Sequence, residues 1–294
     1  MEFGIAEDIE FIDSNSTDIT SDFGAFASSS FIIDETSRAE RGVTTGGKAA
    51  AIQDGPVENR ATLTCKPTTL EVLKIMGSYD STAGTITFSD NLPEHDTLRG
   101  QFTGNESFEF SNFKVGGFTL ESSINETVTI NFDPIHAKSG QIIQQTVTDF
   151  DPDVTPLQWT DTTVKIDGSA FGTIESVAGD TLDRNISPEY GLGQGREPAE
   201  VIEGNFAINP SFLVRVSDAS AWEKLLDDTT YPLTVQDSRS AISEISFDFG
   251  DGNGELVFTG AKLEINTFDM SEDKNDTRTV ELQITAKDLE VRNL

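Results

Sequence analysis

The stretch Asp248 to Glu255, DFGDGNGE, places Asp251, Asn253 and Glu255 at alternate positions, which is how a calcium loop begins. Such a loop closes with a bidentate acid at its twelfth position, and here that position is Lys262. A hairpin turn is therefore expected instead. Gly191 to Glu197, GLGQGRE, is rich in glycine, but Gly191, Gly193 and Gly195 do not make G-x-G-x-x-G or a Walker pattern. Cys65 is the one cysteine, which excludes an intrachain disulfide and a cysteine-rich zinc site. It is expected to be a small buried apolar residue. His95 and His136, the two histidines, lack metal-ligand spacing and are expected in surface or loop positions. Among 51 acids no carboxylate pair stands out as a general acid and base. Asn15, Asn105, Asn125, Asn185 and Asn275 head N-x-S/T triplets in loop-like contexts. Neither an enzyme, a cofactor nor a metal is expected.

The elements behind these residues are organised by a repeat. Gly104 to Glu121, GNESFEFSNFKVGGFTLE, returns as Gly252 to Asp269, GNGELVFTGAKLEINTFD. Gly104, Asn105, Phe110, Lys114 and Thr119 recur at one constant spacing as Gly252, Asn253, Phe258, Lys262 and Thr267. About one identity would arise by accident in such a window. Gly47-Lys48 aligns at that spacing with Gly195-Arg196, and one position further on Gly55 aligns with Gly204 and Leu63 with Phe212. Thr127-Val128 returns as Thr279-Val280 after a short polar insertion within Met270 to Arg278, where a β fold tolerates added residues. A period of about 150 residues is the size of a domain. The expected fold class is mainly β: two tandem homologous β-sandwich or barrel domains, each with one short flanking helix.

The domains are expected at 1–150 and 151–294. A Ser/Asp/Thr-rich arm or peripheral strand would occupy about 1–35, and a linker about 149–156, where DFDPDVTP holds two prolines among acids. In the first half, Pro67, Leu70, Leu73, Met76 and Gly77 read as a helix with one apolar face. In the second half Asp218 to Asp228, DASAWEKLLDD, reads as its counterpart, Ser220 and Glu223 having capping-box spacing. Alternating runs at Ala61 to Cys65, GTITFS, FEFSNF, ETVTINFD, ISEISFDF and RTVELQIT read as strands.

The chain has 294 residues, 36% of them hydrophobic, enough for two cores. The net charge of −31 argues against binding nucleic acid, phosphate or an anionic membrane over most of the surface. Its acids are spread along the chain, the composition of a protein made for a hypersaline medium, where a Debye length of about 3 Å at 1 M salt removes self-repulsion. The start, MEFGIAEDIE, shows no signal peptide, and no apolar run approaches a membrane span. A soluble protein made in the cytoplasm is expected.

In its element order, and locally in Ile166 to Gly179, IDGSAFGTIESVAG, and Gly191 to Val216, GLGQGREPAEVIEGNFAINPSFLVRV, the chain resembles the major tail tube proteins of long-tailed (siphovirus-like) phages. That β-sandwich family also supplies the tubes of contractile injection machines, and the halophilic composition points to a tailed virus of halophilic archaea. The resemblance implies strands lining an inner barrel, with each helix on the outer side. It implies inter-ring loops at Gly46, Gly47 and Lys48 and at Gly193, Gln194, Gly195 and Arg196. It further implies homotrimeric rings of pseudo-sixfold symmetry, stacked around a tape-measure protein and closed by tail terminator and baseplate proteins. Double-stranded DNA would pass through without specific binding, and Asp54, Glu58, Glu200 and Glu203 are the candidate lumen-facing acids that let it slide. Such a protein would sit in the virion tail after assembly in the host cytoplasm, without contacting a membrane. Two other readings fit the acidity and strand content: a secreted halophilic β-sandwich adhesin or carbohydrate-binding module, and a tail-end or baseplate ring protein.

Overall fold

The computed structural model describes residues 2–3, 8–40, 51–88, 91–123, 125–147, 155–159, 162–171, 173–191, 195–215, 223, 242–250, 252–269 and 279–294. The chain is mainly β. In the first half the strands are β1 Glu2–Phe3, β2 Asp8–Ile12, β3 Ala25–Glu40, β4 Ala51–Lys66, β5 Ser78–Asp80, β6 Thr85–Thr87, β7 His95–Thr103, β8 Glu106–Val115, β9 Gly117–Ser123 and β10 Thr129–Ile143. In the second half they are β11 Thr163–Ile166, β12 Ser169–Ala170, β13 Thr173–Ala178, β14 Asp180–Asp183, β15 Ser187–Glu189, β16 Glu200–Ile202, β17 Ser211–Arg215, β18 Ile242–Asp248, β19 Glu255–Asp269, β20 Thr279–Thr285 and β21 Asp288–Arg292.

The first half is built on a sheet running β2-β7-β8-β10-β4-β3-β1. Gly104, at φ 53, and Asn105 turn the β7–β8 hairpin, and the strand that leaves it serves two apolar clusters. Phe108 and Phe110 pack against Phe31 of β3, whereas Phe113 packs against Phe11 of β2 at 4.9 Å. Asn112, at φ 55 between them, breaks the alternation and re-aims the strand. Phe31 reaches across to β7 because residue 100 is glycine: a Cβ there would lie 2.3 Å from the Phe31 ring. That contact curls the sheet, yet no ladder joins β3 to β7 among the described residues. Among the described residues the sheets therefore do not close into the barrel expected for each domain; apolar packing, not a continued ladder, spans the gap.

In the second half β18 and β19 form a hairpin on Gly252-Asn253, β19 pairs first with β21 and then with β20, and β20 pairs with β17. The corresponding ladders of the first half are β7–β8, then β8 and β9 on β10, then β10 on β4. Phe110 and Phe258, equivalent in the repeat, are both fully buried.

Three ladders cross position 150: β6 pairs with β21, and β9 pairs with both β13 and β14. One apolar cluster runs through both halves. Leu70 N donates to Asn253 O at 2.8 Å, and Leu157 N to Pro67 O at 2.8 Å. The expected linker lies outside the described residues except for 155 and 156, and of the second-half helix only Glu223 is described. The first-half helix is a 3-10 helix, Leu70–Met76, capped by the Thr69 hydroxyl accepting from Glu71 N. It is buried on more than one face, Val72 and Ile75 included, so it is a core element and not an outer strut. The N-terminal stretch supplies both edge strands of that sheet, β2 and β1, and also part of the core. Ile9, Phe11, Ile19 and Phe23 are in the core, because β2 supplies the outer strand that covers Phe113.

Candidate functional site

The longest ladder of the chain is the β3–β4 hairpin, running from Ala25 opposite Lys66 to Glu40 opposite Ala51. Its base is covered, since β10 pairs with β4 from Asn59 to Cys65. Beyond Glu58 no third strand joins it among the described residues. The six residues Glu35–Glu40 and their partners thus extend as a two-stranded arm about 20 Å long. The edges of a two-stranded ribbon are the ordinary template for adding another chain. A register shift between Glu35 and Ser37 increases the twist where the arm leaves the sheet.

At that root the second half closes on the first. Val57 N donates to Arg196 O at 2.8 Å, and Arg196 Nε donates to Gly55 O at 3.0 Å. The Arg196 guanidinium also pairs with Glu35, so one side chain touches both strands of the arm. The Tyr190 hydroxyl donates to Val57 O at 3.0 Å. Burial, and then the charge of Glu58, hold the Tyr190 phenol above its usual range. Tyr190 and Arg196 flank the tip of the small β15–β16 hairpin, whose ladder pairs Ser187 with Ile202 and Glu189 with Glu200.

The other end of that hairpin is rooted by Glu203. Its carboxylate accepts from Leu92 N with both oxygens at 3.1 Å, from Lys114 Nζ at 2.9 Å, and faces Arg184 NH1 at 3.5 Å. Glu203 is 17% exposed, Lys114 13% and Arg184 9%, so the cluster is largely out of water. Leu92 and Lys114 belong to the first half, Arg184 and Glu203 to the second.

The expected site residues separate accordingly. Gly46, Gly47 and Lys48, and Gly193 and Gln194, lie outside the described residues. Gly195 is exposed at φ 88, and Arg196 grips the arm root within its own chain. Asp54 lies on β4, its side chain outside the described residues. Glu200 is exposed opposite Glu189, two like charges facing one another across a ladder. Glu58 is half exposed, 3.7 Å from His136 Nδ1. Glu203 is an internal anchor. The repeat pairs Lys114 with Lys262, but only Lys114 is tied in; Lys262 is exposed. Sequence reasoning missed Glu35, Tyr190, Leu92 and Arg184, since nothing local marks a residue whose partner is distant in the chain.

The histidines depart from expectation, because both are buried. His95 packs between Phe11 and Phe113 with Nε2 2.8 Å from Ile75 O, and burial pushes its imidazole below the usual range against the pull of Asp13 and Asp96. His136 is pushed down chiefly by burial, with Glu58 and Asp133 opposing and Arg60 adding to the effect. Cys65 is fully buried, and burial drives its thiol far above the usual range. The Gly250–Gly254 turn folds as a hairpin: Asn253 Nδ2 donates to Phe249 O, and Glu255 is held by Ser246 and Asn293. Among the described residues no group of three His, Cys, Asp or Glu is placed to hold a metal, and no helix is long and apolar enough to cross a membrane. No protein-family model matches the chain, and neither does any curated protein.

Proposed function

We propose that this chain is a structural virion protein that assembles into stacked rings forming the tail tube of a virus of halophilic archaea. The observation that carries this reading is the clasped two-stranded arm of β3 and β4, an element with open edges at its far end and an anchored root. An enzyme needs a cleft with convergent polar groups; an assembling subunit needs an edge to offer and a surface to receive it. The repeated ladder order supports reading the halves as two interlocked copies of one β-sandwich domain, with boundaries near 1–150 and 151–294. Homotrimeric rings would then carry pseudo-sixfold symmetry.

In this reading the arm reaches the next ring, with Gly46, Gly47, Lys48, Gly193, Gln194, Gly195 and Arg196 proposed for the inter-ring contacts. Glu58 and Glu200 carry the lumen assignment, because their carboxylates face solvent. A wall of such acids repels the phosphates of duplex DNA, spaced about 1.7 Å per charge, and leaves it free to slide. Tape-measure, terminator and baseplate proteins complete the assembly, which forms in the host cytoplasm and ends in the virion tail.

Negative-stain microscopy of the purified chain across a salt series tests this directly. Tubes or stacked rings in about 1 M salt or more are expected, where screening is nearly complete. Single rings that never stack would move the assignment to a tail-end or baseplate protein. Monomers at every salt and protein concentration would overturn it.

A further inference from the structure

We propose that the β15–β16 hairpin is a clamp that fixes the direction of the β3–β4 arm. Its root and its tip are held by different means. At the root, Glu203 draws Leu92 N, Lys114 and Arg184 together in a largely dry cluster, so the hairpin cannot shift without stranding charges. At the tip, Arg196 reaches Gly55 O of one arm strand and Glu35 of the other, while Tyr190 bonds Val57 O. Ala199 N donates to Glu189 O at 2.8 Å, which stiffens the hairpin between the two ends.

The position of the grip is what makes it a clamp. A two-stranded ribbon leaving a sheet is free to bend and twist at the last residue that a third strand covers. That residue here is Asn59, and the contacts fall on Gly55 and Val57, the next positions outward. Val57 N points away from β3 and finds Arg196 O, so the clamp substitutes for the missing third strand over that short interval. Pro56, between them, has no N–H to offer and a fixed φ, which limits the root further. An arm held in one direction loses less freedom when it engages another surface than one that must first be ordered. Its value for ring assembly rests on the tube reading above; the clamp itself does not.

Hydrogen exchange of the full chain, held dilute so that it stays unassembled, tests the clamp. Arg196→Ala keeps the carbonyl that Val57 N meets but removes the side-chain bond to Gly55 O and the pair with Glu35 that hold this carbonyl in place, so the Val57 amide should exchange about tenfold faster or more than in the wild type. Amides of the Ala61–Cys65 segment should be unchanged. Glu35→Gln, which removes only the exposed ion pair, should give a smaller acceleration, and Arg196→Lys an intermediate one, because an ammonium cannot reproduce the guanidinium fork. If Arg196→Ala loses protection in the Ala61–Cys65 segment as well, these two milder variants decide. Exchange at Val57 identical to the wild type in folded variants would overturn the proposal. Rings forming normally with no change at Val57 would overturn the clamp alone. Faster exchange at Val57 in a protein that never forms rings would support the clamp and sink the tube reading.

Discussion

Replacing Glu203 by glutamine separates an internal anchor from a lumen acid. The substitution keeps the shape of the side chain and an oxygen for Leu92 N, but it removes the charge that Lys114 and Arg184 face. Two cations largely out of water are then left with an amide whose NH2 is itself a donor. Breaking a buried ion pair from one side costs about 3–5 kcal/mol, and the residual solvent contact of all three side chains places this site near the lower figure. A chain of this size loses about 2–4 °C in Tm per kcal/mol, so E203Q should melt about 6–12 °C below the wild type. The assay is a thermal melt followed by circular dichroism at about 0.1 M and 1 M salt. The loss should persist in high salt, because bulk ions do not enter the cluster. Arg60→Ala gives the contrast: its pair with Asp133 spans 3.2 Å with both side chains about 40% exposed, and its loss should cost less than about 1 kcal/mol. An E203Q protein that melts within a degree of the wild type, or whose deficit disappears in 1 M salt, would refute the anchor and restore Glu203 to the surface acids.

Three further outcomes follow from named contacts. His95 and His136 both have folded pKa values pushed below the ordinary 6.5, so the unfolded chain takes up protons first. Stability is then full above about pH 6.5 and falls as pH drops from there toward 5, and H95Q should flatten part of that slope in melts at half-unit pH steps; a wild-type Tm that is level across this window would contradict it. Gly100→Ala drives a methyl into the Phe31 ring and should cost about 1–3 kcal/mol, partly recovered by F31L in the same chain; a stable G100A protein would mean that the curl of the sheet does not depend on that contact. Cys65 should resist a thiol reagent in the folded protein and react fully in denaturant; prompt labelling under native conditions would contradict its burial on β4, between β3 and β10.

What was legible in the sequence was local. The Gly104-Asn105 and Gly252-Asn253 turns were readable because a hairpin turn declares itself in two residues, and both glycines do have positive φ. Alternation located β8, β10, β18 and β20 for the same reason. Partnership was not legible. Nothing in the short run Thr85–Thr87 says that it pairs with Val291 at the far end of the chain, and nothing in the strand around Phe118 says that it pairs with Leu182. The site followed the same rule. Arg196 stood out by its place in the repeat, whereas its partners Glu35 and Gly55 and the whole Glu203 cluster are ordinary residues until the topology brings them together. One acid among 51 carries no mark of being an internal anchor, and the buried histidines were misread because their polarity outweighed, on paper, the phenylalanines that surround one of them.

The ion pairs also show how the charge of −31 is distributed, and this bears on assembly. Several of the described bases are paired inside the chain: Arg99 sits between Glu10 and Glu109, Lys74 between Asp22 and Glu71, Lys165 against Asp248, Lys138 against Glu94, and Arg292 between Glu244 and Glu290. Each pairing lowers the cost of holding an acid in the folded chain, and each removes a cation that another copy could have met. Among the described residues the exposed surface is mostly acidic, as where Glu189 and Glu200 face each other, although Lys262 and Lys287 are exposed too. Two such surfaces repel at low salt over about 10 Å and scarcely at all over the roughly 3 Å that 1 M salt allows. In the proposed tube, association between copies would therefore rest on contacts that salt does not weaken, which means backbone edges and apolar area, and the arm of β3 and β4 would supply the edges. If assembly instead strengthened as salt was lowered, charge pairing between copies would have to be the driving force, and the arm would lose its place as the joining element.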